Sequence, residues 1–135
     1  MPNSNDCKVI AVVPDLFFAA KIGETARQLG VAVAFAASEQ AVLEKVSLGP
    51  SLVIVDLGAA SVGPVQLITR LKTDPAWRSA RIVGFVNHER SDLIEQARAA
   101  HCDEVLTRGA FVKSLPAMLT ATGSSASGKQ SIAAD

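Results

Sequence analysis

Short apolar runs alternate along the chain with longer stretches in which apolar residues recur every three or four positions. Residues 9–13 (VIAVV) form the first run, β-branched and unbroken. Across residues 16–29 (LFFAAKIGETARQL), Leu16, Ala19, Ile22, Ala26 and Leu29 share one helical face, and Gly30 follows as a stop. Residues 31–35 form a second run. Ser38 is placed to cap a helix over residues 39–47, closed by Gly49 and Pro50. Residues 52–55 are the third run. Pro64 opens a helix with Val65, Ile68 and Leu71 inward, ended by Asp74 and Pro75. Residues 82–86 are the fourth run. Asp92, with Glu95 three positions later, resembles a capping box for a helix that buries Leu93, Ala97 and Ala100. Residues 104–106 make a short fifth run, and a last helix carries Leu115, Met118 and Leu119. Proline is tolerated only in a helix's first turn, so Pro116 sets the start of that helix near Ser114.

Five strands therefore alternate with five helices. The strands are continuously apolar, the pattern of a parallel sheet covered on both faces, and right-handed crossovers give an α/β sandwich of three layers. The domain is expected over residues 8–120, after a leader of residues 1–7. Residues 121–135 (ATGSSASGKQSIAAD) lose all periodicity and read as a flexible tail.

Composition narrows the function. The chain has 135 residues, one ordinary domain, with Lys plus Arg and Asp plus Glu each at 13 and no block of like charge. Such a balance argues against a nucleic-acid partner, which calls for a basic stripe. The apolar start is broken by Pro14 and Asp15, so it is neither a signal peptide nor a membrane span, which takes about 20 apolar residues. Cys7 and Cys102 have no metal-ligand spacing and read as reduced thiols of a cytoplasmic protein.

In an open parallel sheet, ligands bind at the carboxyl ends of the strands. To that rim the first strand delivers Pro14 and Asp15, the third Asp56, the fourth Asn87 and His88, and the fifth Thr107 and Arg108. This layout resembles the response-regulator receiver domain, the CheY-like, flavodoxin-like phosphoacceptor module of two-component signalling. DEVLTRGAF (residues 103–111) is similar to the family's fifth strand and following loop, and KTDPAWRSARIVGF (residues 72–85) to the lead-in to its fourth. The resemblance spans residues 8 to about 120. It implies Asp56 as phosphoacceptor, a weak Mg²⁺ site at Asp15 and Asp56, and Arg108 and Asn87 in place of the family's Lys and Thr or Ser. The separation of Asp56 and Arg108 suits the family's spacing between phosphoacceptor and Lys.

The chain also departs from the family. One acid of the usual pair is missing at Pro14, Gly109 replaces a common Pro, and Val105 stands where a switching aromatic is often found. Arg108 is a planar fork that either holds Asp56 in a standing ion pair or clasps a phosphoryl group. Two readings follow. One is a stand-alone, atypical response regulator of a bacterial phosphorelay, partnered by a histidine kinase or downstream effector and not itself an enzyme. The other is a pseudo-receiver, a phosphorylation-independent interaction module with a fixed Asp56–Arg108 bridge. Either is compatible with a homodimer.

Plainer roles stand beside these. Asp15 precedes LFFAAKI and suits a helix cap. His88 is a rim contact rather than a metal ligand, having no ligand partners nearby in sequence. His101 ends a helix, Cys102 is a small buried hydrophobe, and Trp77 anchors its loop to the core. Phe17, Phe18 and Phe35 belong to the core. GSSASGKQ (residues 123–130) lacks the Ser or Thr, the strand and the helix that a phosphate-binding loop needs.

Overall fold

The first strand, β1 (Val9–Val12), has all four residues buried, as its unbroken β-branched run requires. In the computed structural model, which describes residues 8–45 and 50–123, it lies inside a five-stranded sheet of order β2-β1-β3-β4-β5. The other strands are β2 (Val33–Phe35), β3 (Leu52–Asp56), β4 (Arg81–Val86) and β5 (Glu104–Thr107), and every pairing is parallel. The helices are α1 (Leu16–Leu29), α2 (Glu39–Leu43), α3 (Pro64–Thr73), α4 (Ser91–Ala99) and α5 (Arg108–Gly123). This is the doubly wound, flavodoxin-like sandwich expected from the alternation.

Period-2 side-chain alternation splits the core in two. Ile10, Val12, Val53, Val55, Ile82 and Val86 pack with Leu67, Ile68, Leu71 and Ala97 of α3 and α4. Val9, Ala11, Leu52, Ile54, Val83 and Phe85 pack with Phe18, Ile22 and Ala26 of α1 and Phe111, Leu115 and Leu119 of α5. Trp77, 2% exposed, seats the α3–β4 connection on the first cluster, as expected.

The punctuation residues act as read. Gly30 (φ 73°) ends α1 in the left-handed region, with its N–H donated to the Arg27 carbonyl and that of Val31 to Ala26. His101 (φ 70°) ends α4 the same way, with the Cys102 N–H returning to the Ala97 carbonyl. The Ser38 hydroxyl accepts the Ala41 N–H at 3.1 Å and caps α2. That helix ends at Leu43, and residues 46 and 47 of its expected extent, with Gly49 of the expected stop, lie outside the described residues.

Elsewhere the structure departs from the sequence reading. The packed stripe of α1 runs through Phe18, Ile22 and Ala26. Leu16 falls to its side, and Leu29, the last helical residue, runs past the packed surface; they are 84% and 43% exposed. Phe17 is exposed as well, and Phe35, at the end of edge strand β2, is half exposed with its ring over Gly23. In α3, Leu67 is buried beside Ile68 and Leu71, whereas Val65 is only half-buried. Asp92 does not cap α4: it lies in the first turn and accepts a bidentate pair from Arg90, at 3.1 and 3.0 Å.

The largest difference is α5, which starts directly after β5 at Arg108 rather than near Ser114. The Thr107 hydroxyl accepts the Ala110 N–H at 3.2 Å and caps the first turn. Pro116 therefore lies inside the helix, at the cost of one backbone hydrogen bond. Phe111, Leu115 and Leu119, four apart and fully buried, hold the helix against the sheet despite it. Residues 121–123, expected in the tail, complete α5, while residues 1–7 and 124–135 lie outside the described residues. Among the described residues no helix is long and apolar enough to cross a membrane.

At the opposite edge of the sheet from Asp56, Asp103 ties the layers together. Its carboxylate accepts the Ile82 N–H at 2.7 Å and pairs with Lys72 at 2.6 Å. Asp103→Ala strands the buried Ile82 N–H and leaves the Lys72 ammonium with the Ala80 carbonyl but no counter-charge, and should cost about 2 kcal/mol in denaturant unfolding. Asp103→Asn keeps an acceptor for Ile82 and should lose roughly half as much. Equal losses for the two variants would show that the hydrogen bond to Ile82 contributes little.

Candidate functional site

Asp56 closes β3, one residue past four that are sealed from water, and is itself 5% exposed. It is the only buried charged side chain among the described residues. The turn after it fixes its direction. Leu57 donates its N–H to the Phe85 carbonyl at 3.0 Å and lays its side chain on Gly84, where an added Cβ would come within 2.9 Å. Gly58 then returns its N–H to Asp56 Oδ1 at 3.0 Å. No other hydrogen bond to this carboxylate forms among the described residues. Burial is the largest influence on its acidity and holds the pKa above the usual 3.8. The Gly58 N–H and the Arg108 charge oppose that rise, and Asp15 adds to it.

Asp15 caps α1, as its place before LFFAAKI implied. Its Oδ1 accepts the Phe17 and Phe18 N–H groups at 2.8 and 3.2 Å. The two carboxylates share the rim closely enough for Asp15 to oppose ionisation of Asp56.

Arg108 opens α5, and its guanidinium carbon lies 5.5 Å from the centre of the Phe18 ring. The standing Asp56–Arg108 bridge, one of the two roles open to Arg108, is not formed; four ion pairs occur among the described residues, and none joins these two. The physical reason is the aromatic face beside it, because a guanidinium is weakly hydrated and stacks well on a ring. Phe18 in turn packs on Phe85 and Phe111 with centroids 5.1 and 6.5 Å away.

The last residue of β4 is Val86, buried and paired in register with Thr107. Asn87 lies one position beyond, where its Oδ1 accepts the Glu89 N–H and its carbonyl the Arg90 N–H, both at 2.9 Å. The amide acceptor thus builds the turn into α4. Asn87, exposed His88 and Arg108 meet, with Glu89, Thr107 and Gly109, around an open cleft of about 450 Å³. Asp15 and Asp56 do not line that cleft.

Phe18, Leu57 and Gly84 escaped sequence reasoning as site-shaping residues. Only the aromatic beside the acid cap and the single Gly inside β4 signal them. The half-buried Cys102 thiol lies within hydrogen-bond reach of the Glu104 and Ile82 carbonyls, and burial pushes its pKa up, which disfavours the thiolate.

For a divalent cation the site offers two carboxylates, each with one oxygen already engaged by backbone N–H groups. No cluster of three or more His, Cys, Asp or Glu side chains suited to a metal occurs among the described residues. Two carboxylates, with water completing the octahedron, still fit Mg²⁺, which rarely takes more from a protein.

No protein-family model matches the sequence, and no curated protein does. Solved structures do. A response regulator from Hahella chejuensis is 17% identical with a TM-score of 0.75, covering 87% of this chain and 96% of that one. The chemotaxis response regulator CheY4 of Vibrio cholerae is 15% identical with a TM-score of 0.71, covering 86% and 98%. A Burkholderia pseudomallei response regulator, solved with a phosphorylated aspartic acid, calcium and citrate, is 21% identical with a TM-score of 0.68, covering 96% and 76%. The chain has the CheY-like receiver fold.

Because burial raises the pKa of Asp56 above its unfolded value, this group favours the folded state at low pH. That contribution is lost as pH rises through the folded pKa, so at neutral pH the ionised carboxylate opposes folding. Asp56→Asn should therefore stabilise the fold at pH 7.5 by ~1 kcal/mol, about 3 °C in Tm, and the gain should shrink as pH falls towards 4. A gap that does not vary with pH would contradict this origin.

Proposed function

We propose that this chain is a phosphorelay signalling module of the receiver type in which Asp56 accepts a phosphoryl group. The observation that carries the reading is a buried carboxylate with a single hydrogen bond, closing β3 at the carboxyl rim of a receiver fold. Such a group is poorly satisfied as it stands, and its unengaged oxygen is available as a nucleophile.

The chemistry is a displacement at phosphorus. An Asp56 oxygen forms the new P–O bond. The bond from phosphorus to the donor breaks, and its electron pair leaves with the donor, an acyl phosphate or a phosphohistidine. The ionised carboxylate gives up no proton. A cation held by Asp15 and Asp56 would supply charge neutralisation for the transferring oxygens. Arg108 faces the same rim and suits phosphoryl oxygens as a bidentate donor. The Asn87 NH₂ is a further donor one position past the strand end.

The departures set the rate. Val86 brings no hydroxyl or amide to the end of β4, Pro14 stands in place of a second acid, and Asp56 is nearly closed to solvent. Transfer from a small phosphodonor should be slow. Receiver domains are generally signalling modules rather than enzymes, so the output is binding: a protein partner, either a histidine kinase or a downstream effector, and not nucleic acid.

A second reading is favoured by Val86, which brings no hydroxyl to the strand end, although the Asp56–Arg108 bridge that went with it is not formed. In it the chain is a pseudo-receiver that binds partners without phosphorylation, its carboxylate resting unmodified. Intact mass after incubation with acetyl phosphate and Mg²⁺ separates the two. The expected result is a slow gain of one phosphoryl group, absent in Asp56→Ala and reduced several-fold in Arg108→Ala. No gain under conditions that label an ordinary receiver, with the chain folded, would give the pseudo-receiver reading instead.

A further inference from the structure

The charge of Arg108 acts on the rim carboxylate, yet the two form no ion pair. Arg108 lies over the face of Phe18, and Phe18 is fixed from both sides of the helical layer. Its backbone N–H is held by Asp15, and its ring packs on Phe85, which stands in register with Asp56 on the neighbouring strand. Phe85 stacks on Phe111 of α5 with centroids 4.3 Å apart and planes 14° apart, so the ring beneath the guanidinium has little freedom. Phe17, 69% exposed, meets the Phe18 ring edge-on at 5.1 Å.

We propose that Phe18 is a positioning residue: its ring seats Arg108 away from Asp56, and an anion added at Asp56 draws the guanidinium off that ring. The second half rests on the reading of Asp56 as phosphoacceptor; the first does not. An aromatic seat and a partly solvated ion pair are comparable in strength, so a modest change of charge at Asp56 is enough to move Arg108. A phosphoryl group adds charge and three acceptor oxygens in the geometry that a guanidinium matches best. Removing the cation frees the Phe18 face and alters its contact with exposed Phe17. The change is then felt at the first turn of α1. Val105, which has no ring to swing, is not needed for this route.

Other charged groups act on Asp56 and belong in any test. Asp15 faces it from the end of β1, and Arg108 from α5. His88 and Glu89 line the cleft beside Arg108 from the β4–α4 loop. The Gly58 N–H binds Asp56 directly.

The seat is tested without any phosphodonor, by NMR of the full chain. The Arg108 side-chain N–H should be displaced upfield from the other arginines by the Phe18 ring; a resonance at the ordinary position would overturn the seat, whether or not Phe18→Leu folds. In Phe18→Leu the guanidinium loses its ring and turns to the carboxylate, so the amide of Gly58, which is bonded to Asp56, should shift. In Phe18→Leu/Arg108→Gln that shift should vanish. An unmoved Gly58 amide in a folded Phe18→Leu chain would overturn the positioning role.

Release is tested with beryllium trifluoride and Mg²⁺, a phosphoryl mimic whose bound fluorine signal reports occupancy. Bound fluoride should abolish the upfield displacement of Arg108 and shift the Phe17 amide. Bound fluoride with Arg108 unmoved would overturn release alone. No bound fluoride would overturn release together with the phosphoacceptor reading, while the Arg108 resonance still decides the seat.

Discussion

A carboxylate at the end of a strand otherwise sealed from water is the constraint around which this rim is organised. Taking an acid out of water is costly unless it is well bonded, and Asp56 has one backbone donor. The surrounding residues moderate that cost without removing it. Gly58 supplies a hydrogen bond, and Arg108 lends a distant charge, while Asp15 works in the opposite direction. What results is a carboxylate held in place by the main chain and short of hydrogen-bond partners among the described residues.

That placement depends on packing well away from the carboxylate. Leu57 lies on Gly84 beside the turn that brings Gly58 back to Asp56, and a Cβ on that glycine would crowd its side chain. On the other face of the sheet, Phe18, Phe85 and Phe111 form one aromatic block joining α1, β4 and α5. The core and the site are thus continuous: the same Phe18 that fills the α1–sheet interface carries the rim arginine.

Much of this was legible in the sequence. Continuous apolar strands fixed a parallel sheet, and the sheet put Asp15, Asp56, Asn87, His88 and Arg108 near one edge. Helix ends were readable where a residue type has one physical role, as with Gly30, Ser38 and Asp15. The start of α5 was not, because Pro116 signals a boundary that the buried Phe111, Leu115 and Leu119 override. Side-chain destinations were harder still. Arg108 has two stabilising neighbours, a carboxylate and a ring, and only the three-dimensional position of Phe18 decides between them. The end of β4 at Val86, with Asn87 one position beyond, was legible because the apolar run stops there.

The central claim is that Asp56 and Asp15 form an under-satisfied acidic pair at the rim of a receiver fold. A Mg²⁺ titration followed by backbone NMR tests it most directly. The account predicts saturable shifts at Asp15, Asp56 and Gly58, with weak affinity on the order of millimolar, reduced in Asp15→Asn and abolished in Asp56→Asn. Shifts that never saturate, or that persist unchanged in Asp56→Asn, would contradict it.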